Sequence, residues 1–547
     1  ENNYWGYAIS NQPVAISPEG GHLAFIGRAM DQAQIWIRSL DSLKPRPLAG
    51  TEGVFSLFWA ADSRSVIFSA EGKLKKVPIA GGPPQILSGL SDPVWRGTPL
   101  PNGDFLVNTG IATYRVSPAG TATPLPDKMF LWPEILPDGE HVLYRRRQSP
   151  MAWVQSIRTG PPAELIPTDS KVEYAPPLDA GDPGYLLYLK GGTLMAHPFD
   201  ARRLHMEGEP IAIDQGIPYF DPTGGASFSV SRDGILVYQT GETRSRLVWV
   251  DRAGNEVSNI AESADFWGAP RLSPDEQKVA ISRWTSATGG ADVWIFERGR
   301  KGASRFTFEP GVEAQPNWSP DGKRIVFSSA QKAAPKLWWK GIAETGGGEA
   351  ISTGPFQYAT DWSKDGRFIL FQTSGGDTNS GLWALPIGAA DGGRGKPVPL
   401  IEEQFPAISG AFSPDGKWVA FASNVSGRYE VYVQAFQADD TPKVYGERHR
   451  ISSGGGVLPR WRGDGKELFF VAGDNRLMAV AIKPGPSFQA LEPAALFRLR
   501  SPMPALPSEA NGFDVARDGQ HFVVAVTDAS DIQPMTVIVN WQAALKR

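Results

Sequence analysis

Apolar residues in this chain fall in short alternating runs, each led in by a tight polar turn. Ile325-Val326-Phe327 follows Ser319-Pro320-Asp321-Gly322, and Val419-Ala420-Phe421 follows Ser413-Pro414-Asp415-Gly416. Alternation with a period of two marks a strand with one buried face. In the turn, Pro presets φ at the second position, Asp can bond its own backbone, and Gly takes a positive φ cheaply. Turn and run together read as a β-hairpin.

The turn recurs. Copies end on Glu19-Gly20, Asp62-Ser63, Asn102-Gly103, Asp138-Gly139, Pro183-Gly184 and Asp233-Gly234 in the first half of the chain. The second half repeats it at Asp275-Glu276, Asp321-Gly322, Asp365-Gly366, Asp415-Gly416, Asp464-Gly465 and Asp518-Gly519. Twelve copies in 547 residues give about 46 residues per unit, within the ~40–50 of propeller blades. After each turn come a second strand, a third that often carries an aromatic (Ile35-Trp36-Ile37, Leu337-Trp338-Trp339), and a poorer fourth. Four short antiparallel strands make one blade, and a lone blade cannot bury both faces, so blades must stack around an axis.

Turn positions of the two halves pair in order, and blades five and eleven share Leu194-Met195-Ala196 and Leu477-Met478-Ala479. The expected fold is all-β, two six-bladed β-propellers in tandem with twelve four-stranded blades, at residues 1–253 and 254–547. Each ring is expected to close with an N-terminal outer strand, 4–9 in the first and 256–260 in the second. Residues 247–250 read as the last third strand of the first ring, and 536–541 as that of the second. An unbroken twelve-blade ring is the alternative.

Composition narrows the class. Gly (60) and Pro (47) with 18 Trp and 27 Phe suit many short strands and turns rather than disorder. A net charge of −4 gives no basic balance to attract nucleic acid. The chain has no Cys, which removes disulfides, thiolate nucleophiles and cysteine metal sites. No apolar run approaches the ~18 residues of a membrane span. Glu1-Asn2-Asn3 carries neither an initiator Met nor a signal peptide, so the chain is expected to be a mature or trimmed portion of something longer.

The Trp-Ser-Pro-Asp-Gly-Lys motif at 318–323, with Phe-Ser-Pro-Asp-Gly-Lys at 412–417, resembles the TolB-like, or WD40-like (PD40), β-propeller repeat. A narrower resemblance, carried by 46–53, 72–77, 191–200, 426–433 and 539–541, is to the C-terminal propeller region of acidobacterial-type serine/threonine protein kinases. That likeness implies a non-catalytic sensor or interaction module, extracytoplasmic and tethered to a membrane-anchored kinase. A free periplasmic TolB-like scaffold is a second reading. The kinase itself is missing, since no Gly-rich loop, His-Arg-Asp or Asp-Phe-Gly motif occurs.

Chemistry is sparse. Six His lie scattered, without HxH or HExxH spacing, and no EF-hand loop appears, so neither a metal nor a cofactor is expected. The recurrence of the turn acids at one offset favours turn chemistry over catalysis. No Gly-x-Ser-x-Gly elbow occurs. A lyase or glycoside hydrolase drawing two acids from different blades into one channel stays open, and it requires an acidic cluster with shifted pKa values. The candidate binding residues precede the first strands, in loops expected at a channel mouth: Trp95, Arg96, Trp132, Tyr174, Phe266, Trp267 and Tyr358. Exposed aromatics beside an Arg suit a protein or peptide partner, a glycan or a small ligand. The competing reading is that they cap the packing between blades.

Overall fold

A computed structural model describes residues 14–545 except for 30–31, 71, 91–93, 110–111, 126–128, 147–148, 221–223, 241–244, 286–289, 301, 332–333, 355, 374–380, 389–394, 404, 440, 484, 486, 501–511 and 527–533. Among the described residues, every regular element is a β-strand apart from one helical turn, Trp541–Ala544. The strands form antiparallel sheets, mostly of four strands joined in sequence order.

The recurrent turn holds itself together. Ser319 Oγ donates to Asp321 Oδ1 at 2.6 Å and accepts from the Arg324 N–H at 2.9 Å. Asp321 Oδ1 also accepts from the Lys323 N–H at 3.0 Å, and Gly322 sits at φ 69°. The same Ser–Asp bond recurs at Ser273–Asp275, Ser363–Asp365 and Ser413–Asp415. The bonds from Ser319 and the Lys323 N–H hold the Asp321 carboxyl below its ordinary range, against the opposing pull of desolvation. The aspartates are turn formers.

Two compact units emerge, Glu1–Thr243 with Ala529–Arg547, and Arg244–Asp528. In the first, sheets begin at Val14–Ile16, Val54–Trp59, Arg96–Pro99, Leu131–Ile135, Glu173–Ala175 and Phe228–Val230. Consecutive sheets share apolar clusters, such as Ala24 and Ile35 with Leu57 and Phe68, or Leu187 with Phe228 and Leu236. The last sheet returns to the first, where Ile235 and Val237 pack with Val14 and Phe25.

In the second unit the first strands are Phe266–Leu272, Glu313–Trp318, Gln357–Trp362, Ala407–Phe412, Gly456–Trp461 and Phe513–Val515. They touch one another in that order, and Phe513–Val515 touches Phe266–Leu272. Clusters again fill each gap between neighbouring sheets, and Leu247 and Trp249 with Phe266 and Val279 fill the closing one. Sheets packed face to face in a closed cycle make a β-propeller.

The closing strands are exchanged relative to the sequence expectation. Met535–Val539 pairs with Ile235–Gln239, Leu236 opposite Ile538, and so completes the first unit. Ser245–Asp251 pairs with His521–Val526, Val248 opposite Val524, and completes the second, with Glu256–Ala264 outside it. Both segments are short, continuously apolar third strands, so their pattern could not say which sheet each would join. Packing decides it: Ile538 and Trp541 pack with Tyr185 and Phe228, whereas Leu247 and Trp249 pack with Ile281 and Val523. In sequence, the unit Arg244–Asp528 falls between the strands Ile235–Gln239 and Met535–Val539 of the other, in place of a single cut at residue 253. The outer strand expected at 256–260 is present in Glu256–Ala264; residues 4–9 lie outside the described residues.

Candidate functional site

Each first strand of the second unit carries one residue four positions before its turn acid. These are Arg271, Asn317, Asp361, Ala411, Arg460 and Asp514. Several first strands are bulged just before this position. Gln315, Ser409 and Leu458 take φ of 54°, 56° and 55°, and the register shifts across each. A bulge re-aims the side chain that follows it, at some cost in strain for a non-Gly residue.

Residues at this position bond to the next sheet. Arg271 Nε donates to Asn317 Oδ1 at 2.8 Å, Asp361 Oδ2 accepts from the Phe412 N–H at 2.8 Å, and Asp514 Oδ2 accepts from the Leu272 N–H at 2.7 Å. Arg271, Asp361 and Asp514 lie on three different sheets; Arg271 feels the charges of Asp514 and Asp361, Asp361 those of Arg271 and Asp514, and Asp514 those of Arg271 and Lys364. The three hold the same position on first strands that touch one another in a closed cycle. Burial is the largest influence on all three, pushing Asp361 up to about 6, Asp514 upward and Arg271 downward. All three nonetheless keep some accessible surface.

The first unit has its own lining. Lys171 Nζ, buried, donates to the Phe228 carbonyl at 2.5 Å and to Glu173. Arg96 Nη2 lies 3.8 Å from Glu173, whose other oxygen accepts from the Val230 N–H at 2.9 Å. Burial pushes Glu134 up to about 7, with the charge of Glu173 adding to it, and pushes Lys171 down to about 8. Burial also acts to raise Glu173, but the charges of Lys171 and Arg96 prevail and hold it low. Among the described residues, no group of three or more His, Asp or Glu is placed to hold a metal ion.

The expected candidates divide. Arg96 joins the lining. Trp95 lies half-buried just before its strand, its N–H donating to the Asn108 carbonyl at 2.7 Å. Trp132 is only 5% exposed, on a left-handed residue of a first strand, and Phe266, 6% exposed, packs edge-on against Phe296 at 5.7 Å. These two pack the interior rather than stand at an open mouth. Tyr174 lies edge-on to Phe199 at 6.1 Å, and Tyr358 is half-buried within Gln357–Trp362. Trp267 falls in the strand Phe266–Leu272, and its side chain lies outside the described residues. All but Trp95 stand in first strands, not in the loops before them. The sequence reading missed Glu134, Lys171, Glu173, Arg271, Asp361, Arg460 and Asp514. The signal for most of them was a charged residue breaking an apolar strand at a constant offset from the turn.

The family model of the TolB β-propeller domain (PD40) matches residues 226–385. The chain is 26% identical over 197 residues to the uncharacterized peptidase YuxL of Bacillus subtilis, a match covering 29% of each chain. It thus spans well under a third of that relative. Among solved structures it is similar to a TolB protein of Agrobacterium tumefaciens, with 16% identity, TM-score 0.40, and 53% of this chain and 99% of that one covered. It is also similar to the tricorn protease, with 12% identity, TM-score 0.31, and 89% of this chain and 63% of that one covered.

Proposed function

We propose that the chain is a non-catalytic binding scaffold of two six-bladed propellers, taking a protein or peptide, or a smaller ligand, into a channel. The observation that carries it is that Arg271, Asp361 and Asp514 hold the same position on first strands that touch one another in a closed cycle. Six sheets per unit, joined by an apolar cluster at each junction, support the blade count. The PD40 match agrees with an interaction role. A sensor region on a serine/threonine kinase, outside the cytoplasm, rests on the sequence resemblance alone, and a free periplasmic scaffold fits equally well.

An enzyme is the second reading. Asp361 and Asp514, two acids with raised pKa values in one channel, are what a lyase or glycoside hydrolase would need. Against it, each carboxylate already accepts a backbone N–H from the neighbouring sheet, a structural duty that any blade needs. The test is a peptide and glycan array on the intact chain, followed by product analysis of whatever binds. The expected outcome is retention of a ligand, weakened by Arg271→Gln, with the ligand recovered unchanged. Cleavage that disappears in Asp361→Asn would replace the scaffold with an enzyme.

A further inference from the structure

The lining of the second unit is satisfied on one side and unsatisfied on the other. Asp514, Arg271, Asn317 and Asp361 stand on four successive sheets; Asp514, Arg271 and Asp361 each bond to the sheet that follows, and Asn317 accepts from Arg271 on the sheet before it. Beyond Asp361 come Ala411, the smallest side chain at this position, and Arg460, which does not use what it has. Arg460 is 8% exposed, and the hydrogen bond it makes runs from Nη1 to the carbonyl of its own neighbour Pro459, at 2.7 Å. Its Nε has no partner among the described residues, and no carboxylate there pairs with its guanidinium. Ser409, two residues before Ala411 on the adjoining first strand, is 4% exposed, and its hydroxyl is likewise without a partner among the described residues.

Buried donors left idle are costly, and a charged one more so. A native fold that keeps two of them on adjoining strands, beside the smallest side chain of the lining, has reason for an acceptor. The structure assigns this side of the second channel, at Arg460 beside Ala411, as a binding site for a carboxylate. This rests on the channel reading above. The planar guanidinium edge, Nε with one Nη, matches the two oxygens of a carboxylate. A dianion such as phosphate would add a second negative charge near Asp361 and Asp514, so a monoanion fits the charge of the lining better. The carboxylate can belong to a free small acid or to the C-terminus of a peptide.

The intact chain is titrated calorimetrically with acetate, and with an acetylated tetra-alanine peptide bearing either a free acid or an amide at its C-terminus. Chloride at equal ionic strength serves as the reference. The acid peptide should bind at least about tenfold tighter than the amide, the loss expected when a charge-assisted pair is removed. Competition by acetate identifies a free acid as a sufficient ligand; acid-over-amide preference without competition by acetate identifies the peptide terminus. Arg460→Gln should abolish the preference. Ala411→Leu, which fills the space and leaves the charges alone, should abolish it too and serves if Arg460→Gln does not fold. Equal binding of acid and amide, or a preference that survives both substitutions, overturns the assignment. A channel that still takes ligands through Arg271 while ignoring the acid–amide difference would keep the scaffold reading and remove only the carboxylate site.

Discussion

Asp361 is held in the fold as a group that prefers to keep its proton. Burial raises its pKa to about 6, and Arg271 and the Phe412 N–H only partly offset this. An aspartate in the unfolded chain titrates near 4. Between about pH 4 and pH 6 the folded state therefore binds a proton that the unfolded state has released, and stability falls as pH rises through that window. Above it the loss levels off at roughly 3 kcal/mol, the worth of about two pKa units. Asp361→Asn keeps an oxygen to accept from Phe412 and removes the charge. Thermal melts should show the variant close to the parent at about pH 4.5 and several degrees more stable at about pH 7.5. A variant destabilised equally at both pH values would mean that the charge itself supports the fold.

Between elements, the tryptophan of the turn motif joins neighbouring sheets. Trp318 Nε1 donates to the Arg271 carbonyl at 3.0 Å, Trp59 Nε1 to the Ala15 carbonyl at 3.0 Å, and Trp461 Nε1 to the Ala411 carbonyl at 3.3 Å. In each case the acceptor is the residue four before the turn acid of the preceding sheet, so the indole also fixes the backbone that presents the lining. Trp318→Phe should cost about 1–2 kcal/mol, a lost hydrogen bond plus a small cavity. Denaturant unfolding with an unchanged m-value would read it. Trp362 is the contrast, since its indole bonds Gly366 within its own hairpin at 3.2 Å. The hairpins were legible because their chemistry is local: Ser319, Pro320, Asp321 and Gly322 specify the turn whatever surrounds it. The lining was not, because Asp361 and Arg460 look in sequence like single polar interruptions of apolar strands. Their meaning comes from five other strands, and nothing within either segment announces it. The aromatics drew notice by size, yet Trp132 and Phe266 serve the packing.

Across the whole chain, the first unit is finished by residues that follow the entire second unit. A chain ended at Asp528 loses Met535–Val539 and Trp541, which is 2% exposed. Ile235–Gln239 is then left as an open edge. Scanning calorimetry of that shortened chain should show one transition lost or strongly lowered and the other kept, since the strands of the second unit are all present. Equal loss of both transitions would contradict the division into Glu1–Thr243 with Ala529–Arg547 and Arg244–Asp528. The exchange of closing strands was hidden from the sequence for the reason that makes it workable: 245–251 and 535–539 are interchangeable as patterns, and only the partners waiting in each sheet tell them apart. It also sets an order of events on the ribosome. Synthesis runs from the N-terminus, so the first unit begins earliest and closes last, holding an unfinished edge while some three hundred residues are made. A nascent chain that stalls short of Met535–Val539 carries a complete second unit and an open first one. Closure of the first ring thus reports that translation has run through residue 539.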